Sequence, residues 1–79
     1  MNEKEYLITF STNLDYFLRS NHITQTELAE RLNTTKQSVN YWVHGKKLPR
    51  MDKIEQIAQI LGIQKSDLLD NIKPHYELD

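Results

Sequence analysis

Residues 24–47 read TQTELAERLNTTKQSVNYWVHGKK, and two helix starts stand in them eleven residues apart. Thr24 is followed three residues later by Glu27. The threonine oxygen takes the Glu27 amide while the carboxylate reaches back to the Thr24 amide, a capping box. Leu28, Ala29 and Leu32 then recur at the steps that line one side of a helix. Asn33 tolerates the left-handed backbone needed just past a helix end, and Thr35 is placed to cap the next helix. Gly45 supplies the stop. The pattern predicts helices over 24–32 and 35–44 joined by a very tight connection.

On a helical wheel at about 100° per residue, Val39, Trp42 and Val43 share one sector of the second helix, and Lys36, Gln37, Asn40, Tyr41 and His44 fall on the other. Its side of the wheel assigns Trp42 to the core rather than to a stacking platform. An ordinary surface helix fills its wet face with Glu, Lys and Ala. This one carries two amides, a phenol and an ammonium. Amides both donate and accept, which base edges in a major groove require. Lys36 stands in the first turn, where the helix dipole disfavours a cation by about 0.3–1 kcal/mol. A polyanionic partner offsets that cost. Taken singly, each of these residues also fits a solvated face. Two tightly joined helices with such a face on the second form a helix-turn-helix, which sets its second helix across a DNA groove.

The flanks read as more helix. Tyr6, Leu7, Phe10, Leu14, Phe17 and Leu18 make an apolar stripe over about 4–20, placing Tyr6, Phe10 and Phe17 in the packing of that helix, with Asn21-His22 as its end. Ile54, Ile57, Ala58 and Leu61 line a helix at about 51–61 closed by Gly62, and a short helix spans about 65–71 around Leu68 and Leu69. Residues 73–79, KPHYELD, read as a tail or the start of a linker, so the domain is 1–72. Only two glycines and two prolines interrupt 79 residues, so the fold class is all-α in one small domain.

The net charge of −1 hides an uneven distribution. Residues 34–53 set Lys36, Lys46, Lys47, Arg50 and Lys53 against Asp52 alone, a local charge of +4. A small basic segment in an acidic chain is a localised electrostatic footprint. Other classes find little support. There is no cysteine for disulfides or thiolate metal sites, which fits a reducing compartment. No apolar run reaches membrane-spanning length and no leader pattern opens the chain, so a cytoplasmic protein without a membrane role is the expectation. His22, His44 and His75 lack ligand spacing. Ser38 has no evident His–Asp partners, Glu27 and Glu30 read as a cap and a surface charge, and no glycine loop cradles phosphate. No catalytic centre, metal or cofactor is expected.

The run from Thr24-Gln25 through Leu28-Ala29, Leu32, Thr34-Thr35, Gln37-Ser38-Val39, Gly45 and Pro49 to Ile54, Ala58 and Leu61-Gly62-Ile63 resembles the lambda-repressor-like family, the xenobiotic-response-element type of helix-turn-helix. It looks most like phage repressors and Cro-like proteins and covers about residues 13–70. The resemblance implies a compact five-helix bundle whose helices 2 and 3 form the helix-turn-helix. It implies a phage or bacterial transcription repressor that binds a pseudo-palindromic double-stranded DNA operator as a homodimer, in the nucleoid of the host cytoplasm. By resemblance, Lys36, Gln37 and Tyr41 match base-reading positions, with Asn40 secondary; Gln25 and Thr35 match phosphate-touching helix starts; His44, Lys46 and Lys47 match the loop that grips the backbone, with Arg50 and Lys53 nearby. Gln37 suits adenine, Lys36 suits guanine, and the Tyr41 ring suits a thymine methyl. Many members pair an arginine in helix 1 with a glutamate late in the recognition helix. Leu18 and Val43 stand there instead, so an apolar contact is expected, an exchange often near neutral in stability. Repressors of this kind often continue into a further C-terminal domain, and a regulatory protein partner fits the same scheme. Ile63, Leu68, Leu69 and Ile72 are the candidates for a dimer contact, unless they complete the core. The alternative reading is an antitoxin-like protein-interaction module that keeps the fold with little or no DNA binding.

Overall fold

The first four helices stop in the same way, and the stops set the architecture. The computed structural model describes residues 2–70, which hold α1 Glu3–Ser20, α2 Gln25–Leu32, α3 Lys36–Val43, α4 Met51–Leu61 and α5 Lys65–Leu69. His22, Asn33, Gly45 and Gly62 take positive φ of 55°, 57°, 70° and 70° just past α1 to α4. The next N–H then returns to a carbonyl five residues back: Ile23 to Leu18, Thr34 to Ala29, Lys46 to Tyr41 and Ile63 to Ala58, each at 2.9 Å. This satisfies carbonyls that the helix end leaves orphaned. Glycine adopts such a φ without cost, whereas His22 and Asn33 pay a modest one.

The starts are equally explicit. Thr24 Oγ1 accepts the Glu27 N–H at 3.0 Å and Glu27 Oε1 accepts the Thr24 N–H at 2.9 Å. The Thr24 backbone N–H, and after it the Thr24 side chain, hold the Glu27 carboxyl below its ordinary pKa, and the nearby Arg31 adds to the effect. Asn2 and Glu5 make the same box for α1, at 2.8 and 3.0 Å. Thr35 Oγ1 accepts the Ser38 N–H at 3.0 Å and starts α3.

α1 packs against α3 and α5, α2 against α3 and α4, and α4 against α5. Phe10, Leu14, Leu28, Val39, Ile54, Ile57 and Leu68 are fully enclosed, joined by Phe17, Leu18, Ala29, Leu32, Trp42, Ala58 and Leu61. Each of the larger ones contributes about 1.5–3 kcal/mol through removal from water. Leu18 is buried and Val43 packs against the same cluster, which is the apolar setting expected at those two positions.

Three expectations need correction. Tyr6 is 42% exposed rather than in the core, because it stands at the rim of a groove shared with Leu48, Pro49, Met51, Ile54 and Leu69. The last helix ends at Leu69 rather than 71: Asp70 is already extended, at φ −93° and ψ 157°. Buried Asn13 explains the stop, since its Nδ2 donates to the carbonyls of Leu68 at 2.9 Å and Asp70 at 2.8 Å. Leu68 is wholly buried and therefore belongs to the core, not to a dimer surface, while Ile63 and Leu69 are half-buried against it. Ile72 and the tail 73–79 lie outside the described residues.

Candidate nucleic-acid interface

α3 is held on one side and free on the other. Val39 and Trp42 are buried beneath it, while Lys36 and Gln37 are exposed and Asn40 and Tyr41 half-buried. The sector predicted to be wet is therefore at the surface, and it is not a set of independent side chains. Gln37 Nε2 donates to the Tyr41 hydroxyl at 2.8 Å, an i,i+4 pair along one face. The ammonium groups of Lys47 and Lys46 stand 5.5 and 6.0 Å from the centre of the Tyr41 ring. Such cation–π contacts contribute about 0.5–1 kcal/mol at exposed sites. They draw the loop lysines toward the middle of the polar face.

Gly45 makes that loop position reachable. Its φ of +70° turns the chain, and a Cβ there would lie 3.3 Å from Ser11 Oγ on α1. The backbone thus passes close to α1 before Lys46 and Lys47 emerge. His44 caps α3, with Nδ1 2.8 Å from the Asn40 carbonyl. Its ring is tied to the helix end and still exposed.

Lys36 has no hydrogen-bond or ion-pair partner among the described residues, and no acid stands in the first turn of α3. That leaves its charge available. The remaining cations are more committed. Arg50 lies 3.8 Å from Asp52 in an exposed pair, worth little in stability. Lys53 Nζ donates to the Leu32 carbonyl at 3.3 Å, so this lysine braces the end of α2 against α4. Thr35 spends its hydroxyl on capping, at the Ser38 N–H and Ser38 Oγ.

Asn40 is engaged differently from its neighbours on the wheel. Its Nδ2 donates to Gln25 Oε1 at 3.3 Å, across from α3 to the first residue of α2. Nothing in the sequence pattern indicates this bridge, because it joins residues fifteen apart through the angle between two helices. Lys36, Gln37, Tyr41, Lys46 and Lys47 are brought together, with His44 at the helix end and Gln25 linked through Asn40. Among the described residues no group of three or more His, Asp or Glu side chains is placed to hold a metal ion, and no helix is long and apolar enough to cross a membrane.

Comparison with known proteins gives this surface its context. The family profile of the Cro/C1-type HTH DNA-binding domain matches residues 13–74. A 26 kDa repressor protein of Escherichia phage HK022 is 42% identical over 41 residues, which are 52% of this chain and 17% of that protein. The chain thus spans about a sixth of the length of that curated relative. Among solved structures, the SOS-response transcriptional repressor LexA from Eubacterium rectale superposes with a TM-score of 0.84 at 33% identity, over 92% of this chain and 78% of that one. A hypothetical transcription factor, NHTF, from Neisseria shares the fold with a TM-score of 0.83 at 20% identity, over 100% of this chain and 91% of that one. The family match spans most of the chain and takes in both helices of the motif: the chain belongs to the Cro/C1-type HTH DNA-binding domain family.

Proposed function

We propose that the chain is the DNA-reading domain of a phage or bacterial repressor that grips a pseudo-palindromic operator as a homodimer, with α3 in the major groove. One observation carries this reading: Gln37 and Lys36 stand outward on the flank of α3 opposite Val39 and Trp42, and Lys46 and Lys47 converge on Tyr41 beside them. Specificity and attachment are then separate tasks of one surface.

Gln37 is the principal reader. One of its two N–H groups is taken by the Tyr41 oxygen. The other N–H and the carbonyl oxygen remain, and together they match adenine N7 and N6. The Tyr41 bond fixes the amide before DNA arrives, which reduces the side-chain entropy lost on binding. Lys36 reads guanine O6 and N7, and Tyr41 meets a thymine methyl with the edge its lysines leave open. Lys46 and Lys47 neutralise phosphates, helped by His44, by Arg50 and by the helix starts at Gln25 and Thr35. Two copies reach half-sites about 34 Å apart on one face of the duplex. The setting is the host cytoplasm.

Selection of bound duplexes from a random oligonucleotide pool tests the proposal. Two inverted half-sites about one helical turn apart, each holding an adenine that cannot be changed without loss, support it. Recovery of sequences with no shared pattern, or no retention at micromolar protein and low salt, refutes it and favours the protein-interaction reading.

A further inference from the structure

We infer that Asn40 is a positioning residue for Gln25 rather than a reader of bases: it aims the Gln25 amide N–H groups at a phosphate. The inference rests on the phosphate contact proposed for Gln25. Asn40 is half-buried and its Nδ2 reaches Gln25 Oε1 at 3.3 Å. This pins the oxygen end of the Gln25 amide toward α3. Gln25 Nε2 has no partner among the described residues, so both of its N–H groups are left for a ligand. Phosphate oxygens only accept hydrogen bonds. A glutamine free to rotate presents its own oxygen to the phosphate in one of its two flips, which repels, and it also loses rotamer freedom when it settles. Asn40 removes both penalties before DNA arrives. It also couples the two helices of the motif, since a shift of α3 in the groove moves the group that holds the backbone at the start of α2.

The pairing assigns Asn40 an effect without sequence preference. That separates it from Gln37, which lies on the same helix with its donor–acceptor edge exposed. An asparagine reading bases gives the opposite signature. A purely structural bond between helices leaves the affinity of the folded protein unchanged.

The test is a double-mutant cycle on the 79-residue chain. Asn40→Ala, Gln25→Ala and the double variant are titrated against a selected operator duplex and a random duplex of equal length, below the melting temperature of each variant. Asn40→Ala is expected to weaken both duplexes alike, by about fivefold from the restored side-chain freedom, and to have no further effect in the Gln25→Ala background. A loss confined to the operator makes Asn40 a base reader and overturns the inference. So does an equal loss with and without Gln25, or none at all. If Gln25→Ala itself changes nothing, the Gln25 phosphate contact fails first, and the positioning role falls with it. A readout independent of melting comes from the side-chain amide signals. On adding the random duplex, the Gln25 Nε2 protons are expected to shift strongly in the wild-type chain and weakly in Asn40→Ala; equal shifts in both contradict the inference.

Discussion

Replacing Asn13 probes the joint that closes the bundle without touching the polar face of α3. Asn13 is 2% exposed and its Nδ2 bonds two carbonyls, those of Leu68 and Asp70, at 2.9 and 2.8 Å. Those carbonyls lie more than fifty residues away in sequence, so the amide ties the end of α5 to the middle of α1. Each such bond contributes about 0.5–1.5 kcal/mol net, and a buried carbonyl left without a donor costs more than the bond itself contributed. Asn13→Ala is therefore expected to lose about 2–3 kcal/mol, with the Leu68 carbonyl bearing most of it. A chain of this length has a total stability of only about 4–12 kcal/mol. The expected fall in Tm is about 8–20 °C.

Asn13→Asp sharpens the argument, because it keeps the shape and removes the donors. An ionised carboxylate would face two carbonyl oxygens in a dry site, so its folded-state pKa lies above the unfolded value of about 3.9. The folded form then binds the extra proton more readily. This variant is least destabilised below the unfolded value, and its stability falls as the pH rises from there to the raised folded-state value. Urea unfolding at pH 3.5 and pH 7, followed by circular dichroism, measures both effects. A loss below about 0.5 kcal/mol for Asn13→Ala, or an Asp variant that tracks the Ala variant at both pH values, would refute the role given to this amide.

Other outcomes follow from the same geometry. Thr24→Ala removes the cap of α2 and is expected to cost about 1 kcal/mol in urea unfolding. The folded-state pKa of Glu27 is lowered by its bonds from Thr24, so its contribution exists above the ordinary carboxylate range and disappears as pH falls through the lowered value; the gap in unfolding midpoint between wild type and Glu27→Ala should close on acidification. Gly45→Ala forces a side chain into φ +70° and against Ser11, at about 1–2 kcal/mol, and is expected to destabilise more than Gly62→Ala, whose Cβ meets nothing within 4 Å; calorimetry compares the two. Lys46→Ala is expected to weaken binding to all duplexes alike and to reduce the slope of log affinity against log salt by about one, read by anisotropy titrations at several salt concentrations.

The stretch 24–47 disclosed the helix-turn-helix because its signals are local. The capping box at Thr24 and Glu27, the left-handed Asn33, the Thr35 cap and the Gly45 stop each depend on residues within four or five positions, and the wheel of α3 follows from helical pitch alone. The outward flank of α3 was legible for the same reason. Long-range side-chain bonds were not. Asn13 occupies a position that reads as an ordinary polar residue on the rim of the α1 stripe, and only the return of α5 gives it work. Asn40 shares the polar sector of the wheel, and its bond to Gln25 depends on the angle between α2 and α3, which no local pattern carries. The bond by which Lys53 braces the end of α2 was equally hidden, since it joins residues twenty-one apart. Tyr6 was misplaced because an apolar stripe gives a direction but not where the neighbouring elements end.

The central claim is that Gln37, fixed by Tyr41, reads a base while the lysines attend to the backbone. It is tested most directly by measuring Gln37→Ala against wild type on the selected operator and on random DNA at one salt concentration. The account predicts a loss of about 1–3 kcal/mol on the operator, little change on random DNA, and relaxed preference at a single base pair of each half-site. Equal losses on both duplexes would contradict it.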